Sequence, residues 1–238
     1  MPRFYCAAPL APGLTIDLPE AVAHHLYVLR LLPGAAICLF NGDGAEYVAQ
    51  LETLEKRRAS ASIRAQVARD VELPYEITLA QALPEASKMD WIVEKAVEMG
   101  VAAIQPLAAQ RCVVRLSGER AEKRLTHWQA VVIAASEQSG RNRLARLGAV
   151  DDFHHWIAQQ DMHKRIVLSP RGRQSLPDWA RHQPPQAVSI VIGPEGGFTA
   201  QEEEAAVARG ALALSMGPRI LHTETAGIAA VAALWGDL

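Results

Sequence analysis

Three short stretches of this sequence combine residue types that could form a ligand site. Each directly follows a segment with the pattern of a buried β-strand. They are Ser169-Pro170, Gly193–Thr199 (GPEGGFT) and Met216–Ala226 (MGPRILHTETA). The last of these places Arg219, His222 and Glu224 between an apolar strand and an apolar helix. Polar groups in such a position could do chemistry; the alternative for His222 is a hydrogen-bonded structural histidine, which is the commoner case for a lone histidine.

The GPEGGFT stretch favours a cationic or neutral ligand over a phosphate. Its glycines permit close approach of a ligand to the backbone. Thr199 and Glu202 have the spacing of a capping box, so a helix is predicted to begin there. Four carboxylates crowd that helix start, which disfavours a polyphosphate: Glu195, Glu202, Glu203 and Glu204. The pattern is neither G-x-G-x-x-G nor a P-loop. A sulfonium would suit it, but an ordinary strand–turn–helix corner is the alternative interpretation.

The elements around these stretches alternate between strand and helix from about residue 73 onward. The predicted strands are Ile77–Leu83, Val101–Leu107, Arg165–Ser169, Val188–Ile192 and Ala211–Met216. Alternation of this kind predicts an α/β domain with an open parallel sheet covered on both faces. Ligands bind such sheets at the carboxyl ends of the strands. The three stretches stand at those ends.

Helical spacing places the connecting helices. One helix is predicted from apolar residues that repeat with helical period: Met89, Ile92, Val93 and Ala96. Ser87, three residues before Asp90, predicts a side-chain N-cap at its start, and Gly100 predicts its end. A second helix carries Ala121, Leu125, Trp128, Val132 and Ala135. A third, over Thr225–Trp235, is rich in Ala and Gly, which is typical of a buried helix or a subunit contact.

Residues 1–70 have the texture of a small β-domain. Ala36–Phe40 and Glu46–Leu51 flank Asn41-Gly42-Asp43-Gly44 and predict a hairpin. Ser60–Val67 predicts a third strand with Ala61, Ile63, Ala65 and Val67 on one face. A helix over Glu20–Leu32 is predicted to stop at Pro33-Gly34. We therefore expect a barrel-like domain over 1–70 followed by an α/β domain over 73–238.

Composition excludes several classes of protein. Of the 238 residues, 50% are hydrophobic and 21% are charged, and 24 Lys plus Arg against 26 Asp plus Glu give a net charge of −2. A globally basic nucleic-acid binder is excluded. Three widely spaced cysteines argue against a disulfide scaffold or a cysteine zinc site, and no His spacing indicates a metal. No apolar stretch reaches membrane-spanning length and the N-terminus has no signal pattern, so we expect a cytoplasmic protein.

The charge is nevertheless uneven. Between Gln110 and Leu147 there are eight basic residues against three acidic ones, a local +5. Lys56-Arg57-Arg58 form a second basic group. Such groups are typical of a surface that contacts a phosphate backbone, and a solvated helix face is the alternative.

Taken together, the motifs resemble the ribosomal RNA small-subunit methyltransferase E family, whose members are uridine-N3 methyltransferases of the SPOUT superfamily. The resemblance spans essentially the whole chain. It is carried by RFY, HHLYVLR-x3-G, WIVEKAVEMGV, EQSGR, IGPEGGFT and GPRIL-x-TETA. It implies a PUA-like RNA-binding barrel, then an α/β domain whose C-terminal segment forms a deep trefoil knot. It also implies a homodimer that uses S-adenosylmethionine, without a metal, to methylate a uridine in the decoding region of 16S rRNA in the small ribosomal subunit.

The resemblance also implies which residues form the cofactor site. They are Leu168, Ser169, Ile192, Gly193, Pro194, Glu195, Gly196, Gly197, Leu214, Met216, Gly217, Ile220, Leu221, Thr225 and Ala226. Backbone groups of these loops would pair with adenine, while Ile192, Ile220 and Leu221 supply apolar walls. Two positions depart from the family pattern: His222 stands where an arginine is usual, and Cys112 where a serine is usual.

Methylation of uracil N3 requires removal of its proton and an in-line approach to the methyl group. Glu195 and His222 are the candidate bases, and Arg219 and Arg141 the candidate cations that stabilise charge on the uracil oxygens. The predicted RNA phosphate contacts are Arg111, Arg115, Arg124, Arg143, Lys56, Arg57 and Arg58.

Three other interpretations stay open at this point. A related SPOUT enzyme could act on another RNA, such as tRNA or large-subunit rRNA. A doubly wound nucleotide enzyme would need a basic or Mg²⁺-binding loop near Gly193, which the sequence lacks. A non-catalytic RNA-binding protein would keep the basic residues without a cofactor pocket.

Overall fold

The computed structural model describes residues 1–85, 87–160 and 162–235 of the chain. These residues form two compact units. The first unit contains residues 1–72 together with 136–144, and the second contains 73–135 together with 145–238. Residues 136–144 therefore group with a part of the chain that precedes them by more than sixty residues.

The first unit is built on a five-stranded sheet with one helix. Its elements are β1 (Arg3–Tyr5), β2 (Thr15–Asp17), α1 (Glu20–Val28), β3 (Ala36–Phe40), β4 (Ala45–Leu54) and β5 (Ala59–Ala68). The strand order is β1-β3-β4-β5-β2, with β1 parallel to β3 and the other pairs antiparallel. Fully buried apolar side chains, among them Leu26, Ile37 and Leu51, form its core.

The predicted β3–β4 hairpin is confirmed. Ala36 pairs with Gln50 and Leu39 with Tyr47. Within the turn, the Asn41 side chain accepts the Asp43 amide at 3.1 Å, and the Asp43 side chain accepts the Ala45 amide at 2.7 Å. Asx side chains of this kind satisfy turn amides that have no strand partner.

Two details of the first unit differ from the sequence prediction. Ala61 and Ile63 are buried, but Ala65 and Val67 are exposed, as is every residue of β5 from Arg64 onward. A bulge between Val48 and Ala49 interrupts the β4–β5 register at the same point. Helix α1 ends at Val28 rather than Leu32. Arg30 adopts φ 55°, a left-handed conformation that ends the helix before Pro33 is reached.

The EQSGR motif lies in residues 136–144 and is bonded to the rest of the first unit. Glu137 Oε1 accepts the amide of Tyr5 at 2.9 Å. The Asn142 side chain accepts from Arg3 Nη2 at 2.6 Å and donates to the Arg69 carbonyl at 2.9 Å. The guanidinium of Arg141, which is 3% exposed, donates to both carboxylate oxygens of Glu72. The motif therefore fastens a distant stretch of chain onto β1 and the end of β5.

The second unit is an α/β structure. Its strands are β6 (Ile77–Ala82), β7 (Ala103–Ala108), β8 (Arg146–Leu147), β9 (Asp151–Asp152), β10 (Lys164–Leu168), β11 (Gln174–Ser175), β12 (Val188–Ile192) and β13 (Leu212–Ser215). Its helices are α2 (Lys88–Glu98), α3 (Gly118–Ser139, whose last turn groups with the first unit), α4 (Phe153–Ala158), α5 (Leu176–Arg181), α6 (Ala200–Ala208) and α7 (Thr223–Leu234).

The predicted parallel sheet is confirmed. The strand order is β11-β13-β10-β12-β6-β7-β8, with β9 also paired to β7, and every pairing recorded for the described residues is parallel. All five residues of β12 are buried, as expected for a central strand that is covered on both faces.

Two helix starts differ from the prediction. Ser87 occupies the N-cap of α2, but its side chain makes no capping hydrogen bond. The Asp90 carboxylate instead accepts from His127 Nε2 at 2.9 Å and Trp128 Nε1 at 3.0 Å, which ties α2 to α3. Helix α7 begins at Thr223, two residues earlier than predicted. Its first turn therefore lies inside the TETA motif.

Replacing Arg141 with methionine should destabilise the first unit by about 3 kcal/mol, because it leaves the Glu72 carboxylate without its buried partner. Arg143→Met is the control: Arg143 lies two residues away and is exposed, so we expect a change within about 0.5 kcal/mol. Urea unfolding of both variants measures the difference. Equal stability of the two would show that the Arg141–Glu72 pair contributes nothing.

Candidate functional site

The three stretches singled out in the sequence meet at one edge of the sheet. Strands β13, β10 and β12 are neighbours and run parallel, so their carboxyl ends lie side by side. The residues that follow them line a cavity of about 660 Å³. That volume lies within the usual range for small-molecule sites. A second cavity, beside Trp179 and Leu234, holds only about 50 Å³, room for little beyond water.

Most of the predicted cofactor residues line the larger cavity. Those that do are Leu168, Ser169, Ile192, Gly193, Pro194, Glu195, Gly196, Gly197, Met216, Gly217, Ile220, Leu221 and Ala226. Two do not: Leu214 is 3% exposed in the core of the unit, and Thr225 points to solvent on the first turn of α7. Ile220, a predicted apolar wall residue, lines the cavity and is 85% exposed.

The cavity also contains residues that the sequence analysis missed. Pro170, Phe198 and Thr223 belong to the three stretches but not to the predicted set of cofactor residues, whereas Arg171, Ala200 and Glu203 lie outside those stretches. Arg111, a predicted phosphate contact, lines the cavity as well. Pro170, Phe198 and Thr223 therefore had a usable signal in their stretches. Arg111, Arg171, Ala200 and Glu203 are brought to the cavity by packing that no local pattern indicates.

The corner after β12 has the turn and helix start that the sequence predicted. Gly197 adopts φ 64°, which disfavours any residue with a side chain, and its amide donates to the Pro194 carbonyl at 2.8 Å. The Thr199 hydroxyl accepts the Glu202 amide at 3.1 Å, while the Glu202 carboxylate accepts the Thr199 amide at 2.8 Å. This capping box is confirmed, and it sets where the cavity wall ends and α6 begins.

Protein partners engage three of the four carboxylates near this corner. Glu202 is 1% exposed and accepts the Gln110 amide at 2.8 Å. Glu203 accepts from the Ser169 hydroxyl at 3.1 Å and pairs with Arg171 at 2.9 Å. Glu195 pairs with Lys88. The uncompensated negative charge at this corner is therefore smaller than the sequence predicts. It disfavours a bound phosphate less strongly than four unpaired carboxylates would.

Glu195 is held as a carboxylate. Its Oε1 accepts from Lys88 Nζ at 2.7 Å and from the Glu85 amide at 3.0 Å. Partial burial pushes the pKa of Glu195 upward, but hydrogen bonds from Lys88 and the backbone outweigh it and hold the pKa below its ordinary value. A carboxylate with a lowered pKa and a bound ammonium is a weak proton acceptor at neutral pH.

A buried chain of hydrogen bonds joins strand β6, helix α7 and the corner after β12. The Gln81 side chain is fully buried on β6, and its Nε2 donates to the Thr223 hydroxyl at 2.9 Å. Thr223, which is 5% exposed, in turn donates to the Gly193 carbonyl at 2.5 Å. Thr223 thus holds the Gly193 carbonyl and Gln81 holds Thr223, and both side chains lie outside the loop that contains Gly193.

The other predicted catalytic residues have different surroundings. Arg219 and His222 line the cavity and are exposed, and His222 makes no side-chain capping bond to α7. Arg141 does not line the cavity, and its guanidinium is engaged by Glu72 within the first unit. The structure therefore places Glu195, Arg219 and His222 in the wall of one cavity, whereas Arg141 belongs to the first unit.

The stretch with local charge +5 is divided between the two units, and at least five of its eight basic side chains have protein partners. They are Arg111, Arg115, Lys123, Arg141 and Arg146. Arg124 and Arg143 are exposed. Lys56, Arg57 and Arg58 form the exposed tip of the β4–β5 hairpin, where Arg57 pairs with Glu20.

Within the part of the chain that the structure describes, no cluster of three or more His, Cys, Asp or Glu side chains is placed to hold a metal ion. The same residues contain no helix of the length and hydropathy that crossing a membrane requires.

Comparison with known families places the chain among RNA methyltransferases. The family described as RNA methyltransferase domain matches residues 71–235, and the family described as RNA methyltransferase PUA domain matches residues 18–64. The parallel α/β sheet and a PUA-like N-terminal domain are thus both supported.

Individual relatives match the chain over nearly its whole length. The chain is 33% identical to ribosomal RNA small subunit methyltransferase E of Bacillus subtilis, covering 94% of this chain and 90% of that protein. A crystal structure of ribosomal RNA small subunit methyltransferase E from Neisseria gonorrhoeae, bound to S-adenosyl methionine, is 41% identical, has a TM-score of 0.93 and covers 99% of this chain and 97% of that one.

A putative methyltransferase from Legionella pneumophila, also in complex with S-adenosyl methionine, is 34% identical, with a TM-score of 0.92 and the same coverage of each chain. This chain belongs to the ribosomal RNA small subunit methyltransferase E family, as its motifs had indicated.

Thr223→Val should destabilise the second unit by about 1–3 kcal/mol, because an isosteric methyl leaves the half-buried Gly193 carbonyl without its donor. Thr225→Val is the matched control, since Thr225 is exposed two residues away, and we expect it to change stability by less than about 0.5 kcal/mol. The free energy of unfolding in urea measures both. Similar losses in the two variants would mean that the Thr223 hydroxyl has no special role.

Lys88→Met should raise the pKa of Glu195 toward its ordinary value of 4.5. Because that pKa is lowered in the folded chain, the ion pair contributes its full stability above about pH 4.5 and loses it as the pH falls through the lowered pKa. Carboxyl-carbon NMR titration of Glu195 measures the change. Lys95→Met is the control, since Lys95 pairs with Glu94 and Glu98 instead. An unchanged Glu195 titration in Lys88→Met would assign the shift to the Glu85 amide.

Proposed function

We propose that this protein is an S-adenosylmethionine-dependent methyltransferase that methylates N3 of a uridine in the decoding region of 16S rRNA. The observation that carries the proposal is the cavity formed by the three corners after β10, β12 and β13. It occurs in a chain that matches a relative bound to S-adenosyl methionine with a TM-score of 0.93.

The residues of the cavity fit this donor chemically. Leu168 and Ile192 offer apolar surface, and the loop from Gly193 to Gly197 exposes backbone groups that can pair with an adenine edge. The carboxylates Glu195 and Glu203 also lie in the wall, and each is paired with a cation, Lys88 or Arg171. When bound, the donor supplies an electrophilic sulfonium methyl.

The chain must then remove the N3 proton of uracil and support the charge that develops on its oxygens. Between the two candidate bases, the structure favours His222, because Glu195 is held by Lys88 with a lowered pKa. Arg219 lines the same cavity and is exposed, so its guanidinium can reach a uracil oxygen. Arg141, engaged by Glu72, has no part in this proposal.

The substrate must present an unpaired base, since N3 lies on the pairing edge of uracil. We assign residues 1–70 to RNA binding and residues 73–238 to catalysis. Phosphate contacts fall to the exposed cations: Arg115, Arg124, Arg143 and the hairpin tip of Lys56, Arg57 and Arg58.

The proposal includes a C-terminal trefoil knot, a homodimer and a cytoplasmic location, all implied by the family resemblance. The topology supports the knot. Strand β13 lies between β10 and β11, although residues 169–173 join those two strands directly. The later part of the chain therefore enters between two elements that are already connected.

A methylation assay tests the function. It uses labelled S-adenosylmethionine and small ribosomal subunits from a strain that lacks the modification. We expect one methyl group per 16S rRNA, and a stop in reverse transcription at a single uridine because N3 methylation blocks pairing. Parallel reactions with tRNA and with large-subunit rRNA should incorporate no label. Label in either of those RNAs would assign the enzyme a different substrate, and no heat of binding with S-adenosylmethionine would refute the cofactor.

A further inference from the structure

We propose that Arg111 is a positioning residue that holds the loop Gly193–Phe198 in its binding conformation, and that it does not serve as an RNA phosphate contact. What the loop binds rests on the proposed function. The position of Arg111 is a property of the structure alone. Arg111 belongs to the turn after β7, outside the three corners that form the cavity.

The contacts of Arg111 are directed at the loop. Its Nη1 donates to the Gly196 carbonyl at 2.9 Å and approaches the Phe198 carbonyl at 3.4 Å. Its stem packs on Gly196 so closely that a Cβ there would lie 3.3 Å from Arg111 Cβ. One side chain thus engages the loop through both its aliphatic stem and its guanidinium.

The backbone that carries Arg111 is itself fixed to the same structure. The amide of Gln110 donates to Glu202 Oε1 at 2.8 Å, and Glu202 is the buried member of the capping box at the start of α6. Arg115 donates to the carbonyls of Ala109 at 3.1 Å and Gln110 at 2.9 Å. Residues 109–115 therefore form a brace that joins the loop at Gly196 and the helix start at Glu202.

The loop is then held by side chains from three separate elements. Thr223 of α7 donates to the Gly193 carbonyl, Lys88 of α2 bonds the Glu195 carboxylate, and Arg111 takes the Gly196 and Phe198 carbonyls. A loop that is ordered before binding loses less conformational entropy when the ligand arrives. Arg111 should accordingly raise affinity for the methyl donor without touching the RNA.

The experiment compares Arg111→Met and Arg111→Lys with Arg120→Met. Methionine keeps an unbranched stem and removes the guanidinium. Lysine keeps the charge but cannot match the planar fork. Arg120 is exposed on α3 and does not line the cavity, so it controls for the loss of one charge. Three quantities are measured for each variant. Calorimetry gives the affinity for S-adenosylmethionine, and filter binding gives the affinity for a 16S rRNA fragment at saturating donor. Hydrogen exchange without ligand reports on the order of residues 193–199.

We expect Arg111→Met to bind the donor about tenfold more weakly, with a raised KM for the donor and little change in kcat or in RNA affinity. Arg111→Lys should show most of the same loss, and Arg120→Met none. Exchange at residues 193–199 should be faster in Arg111→Met. If its thermal unfolding shows that it is not folded, Arg111→Lys decides.

Two results would overturn the proposal. The first is donor affinity within twofold of wild type in Arg111→Met together with weakened RNA binding that Arg111→Lys restores, which would assign Arg111 to phosphate. The second is unchanged exchange at residues 193–199. If the wild-type protein binds no S-adenosylmethionine, the proposed function fails, whereas the exchange comparison still tests the role of Arg111.

Discussion

The site depends on the bonding of one irregular loop, Gly193–Phe198, whose polar groups lie outside regular secondary structure. Backbone groups left unpaired near a protein interior cost free energy comparable to a lost hydrogen bond. Here Thr223 takes the carbonyl of Gly193 and Arg111 takes that of Gly196. The donors come from elements far apart in sequence, so the loop has its conformation only once the sheet and its helices have assembled.

The same loop shows how a charge pattern changes meaning when the chain folds. In the sequence, Glu195, Glu202 and Glu203 look like a negative cluster at a helix start. In the structure Glu202 closes a capping box, Glu203 bonds Ser169 and Arg171, and Glu195 bonds Lys88. Each of these carboxylates is therefore engaged by a donor within the protein. In the proposed function the role of proton acceptor therefore goes to His222 and not to Glu195, whose carboxylate Lys88 holds.

The EQSGR motif illustrates a different kind of constraint. The sequence analysis gave Arg141 of this motif a catalytic role, yet Glu137 accepts a β1 amide and Arg141 is buried against Glu72. A buried ion pair demands good geometry and paired partners, which explains why this stretch needs so many polar residues. Residues 136–144 thereby become part of the first unit although they follow most of α3.

Local rules determined much of this protein. Period-two and helical patterns located the β3–β4 hairpin, the strands of the parallel sheet and helix α2, and the Thr199–Glu202 spacing predicted where α6 begins. The family motifs indicated most of the cavity lining. These features depend on residues within a few positions of one another, which is the range over which propensity and capping act.

Tertiary structure decided the rest. Three corners became one cavity only because β13, β10 and β12 are neighbours, a strand order that no periodicity encodes. The hydrogen bond from buried Gln81 to Thr223 and the bond from Arg111 to Gly196 each join residues that are distant in sequence. Long-range contacts of this kind are set by packing and by the pairing of buried polar groups, so they follow from the assembled chain as a whole.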